Sequence, residues 1–204
     1  MVQGFGAVGM HTARFLTDMG AVLVGAADSR GAIHNPDGLD VVRLCDIKAA
    51  GGALGEYVDA SLLERDAVID IECDIWIPAA RPDVIHEKNA QRLKTKLVIE
   101  GANIPITPGA EALLAERGIL CVPDFIANAG GVICAAMEYH GASEGTVLQA
   151  IKEKLRRNTR LVLEDATRRN ISPRQASVEL ALARVKKAMS YRRYSLFSTA
   201  PGFV

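Results

Sequence analysis

The chain has 204 residues, of which 49% are hydrophobic, and its 24 basic side chains balance 24 acidic ones. This length allows one compact core with appended helices, and the charge balance provides no attraction to nucleic acid or to an anionic membrane surface. With neither a signal-like start nor an apolar run near the roughly 20 residues of a membrane span, we expect a soluble, cytoplasmic protein that binds small molecules.

Apolar stretches of strand length alternate with helical patterns from residue 1 to about residue 142. This alternation is typical of a parallel sheet with helices on both faces. The predicted strands cover residues 1–3, 21–27, 73–78, 96–99 and 119–122. The predicted helices cover residues 8–19, 39–50, 84–93, 108–117 and 128–140, and residues 30–40 are predicted to form a loop. Because a buried parallel strand usually has more apolar residues before its turn, we expect the chain to begin partway through its first strand.

From Glu144 onward the pattern changes to long amphipathic helices. The helix predicted from Glu144 has one apolar face. The following helix is predicted to begin at a Ser172 cap followed by Pro173, and it also carries an apolar stripe. The predicted fold is α/β, a Rossmann-like doubly wound, mostly parallel sheet with C-terminal helices. Residues 1–142 are predicted to form a dinucleotide-binding domain with a truncated first strand, and residues 143–204 a helical extension of the same domain.

A glycine-rich turn follows the first predicted strand. Gly4, Gly6 and Gly9 have the G-x-G-x-x-G spacing between a strand and a helix. In such a turn the first glycine permits the tight bend, the second lets a pyrophosphate approach the backbone, and the third lets the helix pack closely on the strand. Free backbone N–H groups at the helix start then hold the anion. Because a second strand ends at Asp28, where an acid bonds ribose hydroxyls, the sequence predicts dinucleotide binding.

The choice between NAD and NADP depends on three consecutive residues. The charge of Asp28 opposes a 2′-phosphate and favours NAD, whereas Ser29 and Arg30 could bond or pair with that phosphate. We therefore expect NAD or NADP, with NAD preferred. Arg30 is equally consistent with an exposed loop residue.

Five motifs together carry a family resemblance. VQGFGAVG begins at Val2, DSRGAIHNPDGLD at Asp28, IPAA at Ile77, EGANIPIT at Glu100 and PDFIANAGGV at Pro123. In this order and spacing the chain resembles the glutamate, leucine, phenylalanine and valine dehydrogenases, and glutamate dehydrogenase most closely. The resemblance implies NAD(P)-dependent oxidative deamination of an L-amino acid, with glutamate the expected substrate, to its 2-oxo acid.

The resemblance also implies roles for individual residues. Ala79 and Ala80 are expected to lie along the nicotinamide ribose, and Asn103 near the nicotinamide; both asparagines, Asn103 and Asn128, could equally serve as turn or cap residues. The full set expected to bind cofactor is Gly4, Phe5, Gly6, Ala7, Val8, Gly9, Asp28, Ser29, Arg30, Ala79, Ala80, Asn103 and Asn128. The set expected near the substrate is Asn128, Gly130, Gly131, Val132 and Ala135.

Three positions depart from the family pattern. Asp83 stands where many relatives have asparagine, which weakens one contact on the nicotinamide side. Ala135 stands where glutamate-specific members have a serine, and EGAN is followed by Ile104. These departures weaken glutamate as the substrate and leave leucine, valine or phenylalanine open.

No catalytic residue is assigned to this chain. In the family, lysines that bind the substrate carboxylate and activate water, and an aspartate that transfers protons, come from an amino-terminal domain. No glycine-rich lysine motif occurs here. Lys48, Lys88 and Lys94 are interpreted as surface residues, and the four histidines and four cysteines have no metal-ligand spacing. We therefore expect dinucleotide binding without turnover, a missing partner domain, and possible homo-oligomers. A non-catalytic dinucleotide-sensing module is the alternative, and another Rossmann-type enzyme a more distant one.

Overall fold

The computed structural model describes residues 1–192, and within them the chain forms one seven-stranded sheet. The strands are β1 (Val2–Gln3), β2 (Gly25–Ala27), β3 (Ala32–His34), β4 (Ser61–Leu63), β5 (Ile75–Pro78), β6 (Leu97–Ile99) and β7 (Leu120–Val122). Their order is β4-β3-β2-β1-β5-β6-β7. Strands β2, β1, β5, β6 and β7 are mutually parallel, whereas β3 is antiparallel to both of its neighbours.

Seven α-helices accompany the sheet in the described part of the chain. They are α1 (Ala7–Asp18), α2 (Val41–Ala49), α3 (Pro108–Glu116), α4 (Asp124–Ala127), α5 (Gly130–Tyr139), α6 (Glu144–Arg169) and α7 (Pro173–Arg192). Their starts carry ordinary sequence signals. The Asp40 side chain caps α2, and Thr107 caps α3 ahead of a proline at the first turn. Short 3-10 helices form at Leu54–Glu56, Arg65–Asp70 and Ala90–Arg92.

The core lies in two layers because successive strand residues point to opposite faces of the sheet. Trp76 belongs to the cluster that contains Leu114 of α3, whereas its neighbour Ile77 belongs to the cluster that contains Ala13 of α1 and Leu44 of α2. Helices therefore cover both faces, as the alternating sequence pattern predicts.

A third apolar cluster joins the carboxyl-terminal helices to the sheet edge. It packs Val122 of β7 against Val162 and Ala166 of α6 and Ala176 of α7. Farther along α7, the apolar stripe remains 43–62% exposed at Val178, Leu182, Val185 and Met189. Among the described helices, none combines the length and apolarity that a membrane crossing needs. The final part of the predicted helical extension, residues 193–204, lies outside the described residues.

The doubly wound, mostly parallel fold predicted from the sequence is confirmed, and two local predictions are wrong. The predicted loop at residues 30–40 contains β3. The predicted helix at residues 84–93 is a series of turns with one 3-10 helix. The Asn89 side chain accepts from His86 N at 2.8 Å and donates to Val84 O at 2.9 Å. These local bonds compete with the helical hydrogen-bond pattern.

Candidate functional site

The candidate site lies where the chain changes direction across the sheet. Strand β1 pairs with β2 on one side and with β5 on the other, all three parallel. In open α/β sheets ligands bind beyond the carboxyl ends of the strands at such a switch point. Gly4 follows β1, Asp28 follows β2 and Ala79 follows β5. Three of the predicted segments therefore meet at one edge.

The glycine turn is held by very close backbone packing. Gly4 has φ +99°, and a Cβ there would lie 2.6 Å from both the N and the Cα of Ala80. A Cβ on Gly9 would lie 2.0 Å from the carbonyl oxygen of Gly4. Since real Cβ atoms do not approach backbone so closely, both positions require glycine. The second contact also packs the first turn of α1 against the end of β1.

Gly6 has a different reason to be glycine. It is the N-cap of α1 with φ −90°, it is exposed, and a Cβ on it would meet no atom within 4 Å. The N–H groups of the first turn that follows have no partner within the helix. Ala7 and Val8 of that turn are exposed, whereas the Phe5 side chain lies in the core and is 1% exposed. The open side of the turn thus presents backbone to a ligand.

Asp28 forms an ion pair that the sequence analysis did not anticipate. Lys48 Nζ of α2 lies 2.9 Å from Asp28 Oδ2, and Arg30 N donates to Asp28 Oδ1 at 2.8 Å. The Asp28 side chain is only 8% exposed, and the Lys48 side chain is 21% exposed. Lys48 is therefore not the free surface residue that the sequence predicts, while Ser29 and Arg30 are exposed.

The environment of Asp28 keeps its carboxyl group ionised. Burial raises its pKa, but the hydrogen bonds from Lys48 and from Arg30 N oppose this effect, and the net pKa is lowered. The carboxylate remains an anion at neutral pH, and its charge is compensated by the ammonium group beside it.

The EGAN segment and α4 meet through a pair of amides. Asn128 Nδ2, at the end of α4, donates to Asn103 Oδ1 at 2.8 Å. This contact brings together two predicted residues that lie 25 positions apart. Asn128 caps α4 through its backbone, with its N–H donating to Asp124 O at 2.7 Å, so its turn role and its place beside Asn103 coexist.

Two residues near this contact adopt left-handed backbone conformations. Ile104 has φ +43° and Asp83 has φ +54°, and Asp83 N donates to Ile104 O at 3.1 Å. Asp124 Oδ2 accepts from Ile104 N at 2.8 Å. A β-branched residue is strongly disfavoured in this region, whereas aspartate tolerates it better. Two of the three departures from the family pattern, Asp83 and Ile104, thus lie in neighbouring segments joined by a backbone hydrogen bond.

The predicted substrate-proximal residues begin a helix beside the amide pair. Gly130, Gly131 and Val132 form the first turn of α5, two residues after Asn128. Val132 is 76% exposed, and Ala135 is exposed on the same helix. No residue of α5 is buried within the described structure. This helix start is open to a ligand or to another protein segment.

A cavity of about 840 Å³ lies at the opposite edge of the sheet. Residues that precede the strands contribute much of its lining, among them Leu23 before β2, Asp74 before β5 and Lys96 before β6. It is therefore remote from the strand ends where ligands of doubly wound sheets bind, and we do not assign the dinucleotide to it.

Comparison with known proteins identifies the family. The family model described as glutamate/leucine/phenylalanine/valine dehydrogenase matches residues 1–193. The chain belongs to this family. The resemblance stated from the five motifs is thereby confirmed.

Individual relatives give the share of a dehydrogenase that this chain represents. It is 36% identical over 201 residues to an NAD-specific glutamate dehydrogenase of Staphylococcus aureus, covering 96% of this chain and 48% of that protein. It is 35% identical over 200 residues to an NADP-specific glutamate dehydrogenase of Saccharolobus shibatae, covering 94% and 47%. The chain therefore spans about half the length of the curated relatives that it matches.

A solved structure agrees with the described fold. The leucine-bound, hetero-hexameric glutamate dehydrogenase of Thermus thermophilus superposes with a TM-score of 0.83 at 28% identity. The match covers 97% of this chain and 48% of that one. The α/β architecture is thus that of half of a glutamate dehydrogenase subunit.

The close contact between Gly9 and Gly4 makes a direct stability test possible. We expect Gly9→Ala to lower the free energy of unfolding by more than about 2 kcal/mol, because the added methyl group must displace backbone. Thermal unfolding followed by circular dichroism measures this change. Gly6→Ala is the matched control, and its unobstructed Cβ should change stability by less than about 1 kcal/mol. Equal effects of the two substitutions would contradict the geometry.

The left-handed conformation of Ile104 predicts a stabilising substitution. We expect Ile104→Gly to raise the free energy of unfolding by about 0.5–1 kcal/mol, since relief of a strain of about 1–2 kcal/mol exceeds the entropic cost of glycine. The side chain is 58% exposed, so little buried apolar surface is lost. Urea unfolding measures the change. Ile104→Val retains the strain and should give no gain; a destabilised glycine variant would contradict the assignment of strain.

Proposed function

We propose that this chain is the cofactor-binding half of an NAD(P)-dependent amino-acid dehydrogenase. The observation that supports this most strongly is the convergence of the glycine turn, the end of β2 and the Ala79–Ala80 segment at one switch point. Residues 1–142 supply the dinucleotide-binding domain in this proposal, and the helices that follow extend it. The reaction is the oxidative deamination of an L-amino acid to its 2-oxo acid.

The residues at the glycine turn fit a dinucleotide diphosphate. The space over Gly6 is free of protein atoms within 4 Å of a Cβ position, and α1 begins there with unpaired N–H groups and no acidic residue in its first turn. A helix start of this kind binds anionic groups through backbone donors and its dipole. Gly6, Ala7 and Val8 would hold the diphosphate through their backbone N–H groups. Gly4 and Phe5, whose N–H groups donate to Ala27 O at 2.8 Å, would shape the turn beneath it, with Gly9 keeping the helix close.

The other predicted residues would orient the two ends of the cofactor. Asp28, Ser29 and Arg30 would contact the adenosine ribose, and Ala79 with Ala80 would pack along the nicotinamide ribose. Asn103 and Asn128 already bond to each other and offer amide groups at the nicotinamide end. When bound, the dinucleotide supplies a hydride acceptor for the amino-acid Cα. The chain's own residues bind and orient it.

The lysines and the aspartate that the family uses for amine chemistry would come from a separate domain. This chain spans about half of its curated relatives, which supports a missing partner segment of comparable size. Domain closure around the cleft would complete the catalytic constellation and exclude water. We therefore expect the chain alone to bind dinucleotide without oxidising amino acids.

Glutamate is the first substrate to test, because the matched relatives carry that name. The start of α5 near Asn128 would face it through Gly130, Gly131 and Val132. Ala135 offers no hydrogen bond to a side-chain carboxylate, so leucine, valine and phenylalanine belong in the same substrate panel.

Calorimetric titration of the purified chain with NAD tests the proposed function. We expect binding to the wild-type chain and a loss of affinity of about tenfold or more in Gly6→Asp, because a carboxylate beside the diphosphate repels it. Gly6→Ala, which adds a methyl group to the same open position, separates charge from steric effects. Wild-type protein that is folded yet binds neither NAD nor NADP would contradict the proposal.

The Asp28–Lys48 ion pair predicts the relative affinities of the chain for NAD and NADP. We propose that NAD is preferred and NADP is also admitted, because Lys48 compensates the charge that would repel a 2′-phosphate. Replacing Lys48 with glutamine leaves Asp28 uncompensated, so we expect NADP affinity to fall about tenfold relative to NAD affinity. Titrations with both dinucleotides give the ratio.

Arg43→Gln is the matched control for this substitution. Arg43 lies on the same helix, and its guanidinium pairs with Asp59 at 2.8 Å on an exposed surface. The Arg43→Gln substitution removes one positive charge from α2, as Lys48→Gln does, but does not affect a contact of Asp28. The double variant Asp28→Asn/Lys48→Gln should recover NADP binding. An equal change of the NADP-to-NAD ratio in the Lys48 and Arg43 variants would contradict a specific role for Lys48.

A further inference from the structure

A largely buried ion cluster forms around Glu100, the first residue of the EGAN segment. Glu100 is fully buried, and Arg174 Nη2 donates to its two carboxylate oxygens at 2.7 and 3.0 Å. The same guanidinium contacts the Glu111 carboxylate through Nε and lies 3.6 Å from Asp124 Oδ1 through Nη1. Within residues 1–192, this arginine is the one cation in ion-pair contact with the three acids.

The cluster continues into the backbone of the two site segments. Glu100 Oε2 accepts from Asp124 N at 3.2 Å, and Asp124 Oδ2 accepts from Ile104 N at 2.8 Å. Residues 101–104 and 124–128 are therefore tied to each other on the arginine side. At their opposite ends they are joined by the bond between Asn128 and Asn103.

Arg174 lies on α7, 74 residues after Glu100 in the sequence, and hydrogen bonds fix the start of this helix. Ser172 Oγ accepts from Gln175 N at 3.1 Å, and Ser177, which is fully buried, donates to Pro173 O at 2.7 Å. Arg174 follows Pro173 in the first turn of this helix. Removing its charge would leave buried carboxylates without compensation, which is strongly unfavourable. The neighbouring segments would rearrange to restore solvation.

We propose that Arg174 is a positioning residue for the nicotinamide end of the cleft, acting through Glu100 and Asp124 on the segments that carry Asn103 and Asn128. This inference rests on the proposed function, because it assumes that the dinucleotide binds at this edge. It assigns to α7 a role in cofactor geometry beyond packing on the sheet.

Within the cluster, the Glu100 carboxyl group has a pKa close to neutral pH. Burial raises the pKa of Glu100 to about 7, although the nearby Arg174 opposes the rise. Asp124 from α4 and Glu111 from α3 face the same carboxyl group, and burial raises the pKa of the β7 thiol Cys121 to about 12, which leaves it neutral. Glu100 therefore gains negative charge as pH rises through the neutral range.

The sign of the stability effect follows from this raised pKa. Between the ordinary pKa of 4.5 and about 7, the folded chain holds a proton that the unfolded chain releases. The contribution of Glu100 to stability is thus greatest below pH 4.5 and is lost as pH rises through 7. The ionised carboxylate nevertheless binds Arg174 and Asp124 N more strongly. Residues 101–104 and 124–128 are therefore held together most firmly at pH 8.

Comparison of NAD with ADP-ribose, which lacks only the nicotinamide, tests the proposal on the 204-residue chain. We expect the wild-type chain to bind NAD more tightly than ADP-ribose. In Arg174→Met this affinity ratio should fall about fivefold or more toward one, while ADP-ribose affinity changes little. Arg174→Lys retains the charge but not the planar fork, and its ratio should be intermediate.

Arg184→Met is the matched control on the same helix. The Arg184 guanidinium donates to Asn158 Oδ1 at 2.8 Å, away from the cluster, and the ratio should remain that of the wild type. The wild-type ratio should also rise from pH 6 to pH 8, and Glu100→Gln should abolish that rise.

The outcomes separate the inference from the proposed function. An unchanged ratio in folded Arg174→Met, or equal loss of NAD and ADP-ribose in both Arg174 variants, would overturn the positioning role alone. A wild-type ratio that does not change with pH would contradict the claim that ionisation of Glu100 strengthens this cluster. A wild-type chain that binds neither ligand would overturn the proposed function and this inference with it.

Discussion

The close packing of backbone around the glycine turn is the constraint on which the rest of the site depends. The Cα of Gly9 rests on the carbonyl of Gly4, and Gly4 itself lies against the backbone of Ala79 and Ala80. These contacts fix the start of α1 between the ends of β1 and β5. An anion-binding helix start is thereby aligned with the switch point of the sheet, where a dinucleotide can extend in both directions.

Charge is arranged differently at the two ends of this crevice. At the β2 end, a single aspartate is compensated by Lys48, and both groups remain partly accessible. At the β6 end, one arginine serves three carboxylates in a buried cluster, and the exposed groups are neutral amides. The first arrangement suits discrimination at the adenosine ribose. The second suits a fixed geometry at the nicotinamide, because its hydrogen bonds join the segments that carry Asn103 and Asn128.

The sequence predicts this architecture well wherever a local pattern carries the information. Glycine spacing identifies the turn at Gly4–Gly9, and apolar periodicity locates the parallel strands and the long helices. The prediction fails for β3, which has only three residues and lies in a segment rich in turn-forming residues such as Asn35, Pro36 and Gly38. It also fails for residues 84–93, where Asn89 redirects the backbone. Lys48 and Arg174 are equally hidden, since their partners lie 20 and 74 residues away and each resembles an ordinary surface cation in the sequence.

Hydrogen–deuterium exchange with and without NAD tests the central claim, that the dinucleotide occupies the carboxyl edge of the sheet, most directly. Bound NAD should slow exchange of backbone amides in residues 4–10, 28–31, 79–80 and 101–104. Exchange should not change in residues 20–24 and 94–96, which line the cavity at the opposite edge. Protection confined to that cavity, or absent from the glycine turn at saturating NAD, would contradict a dinucleotide site at the carboxyl edge.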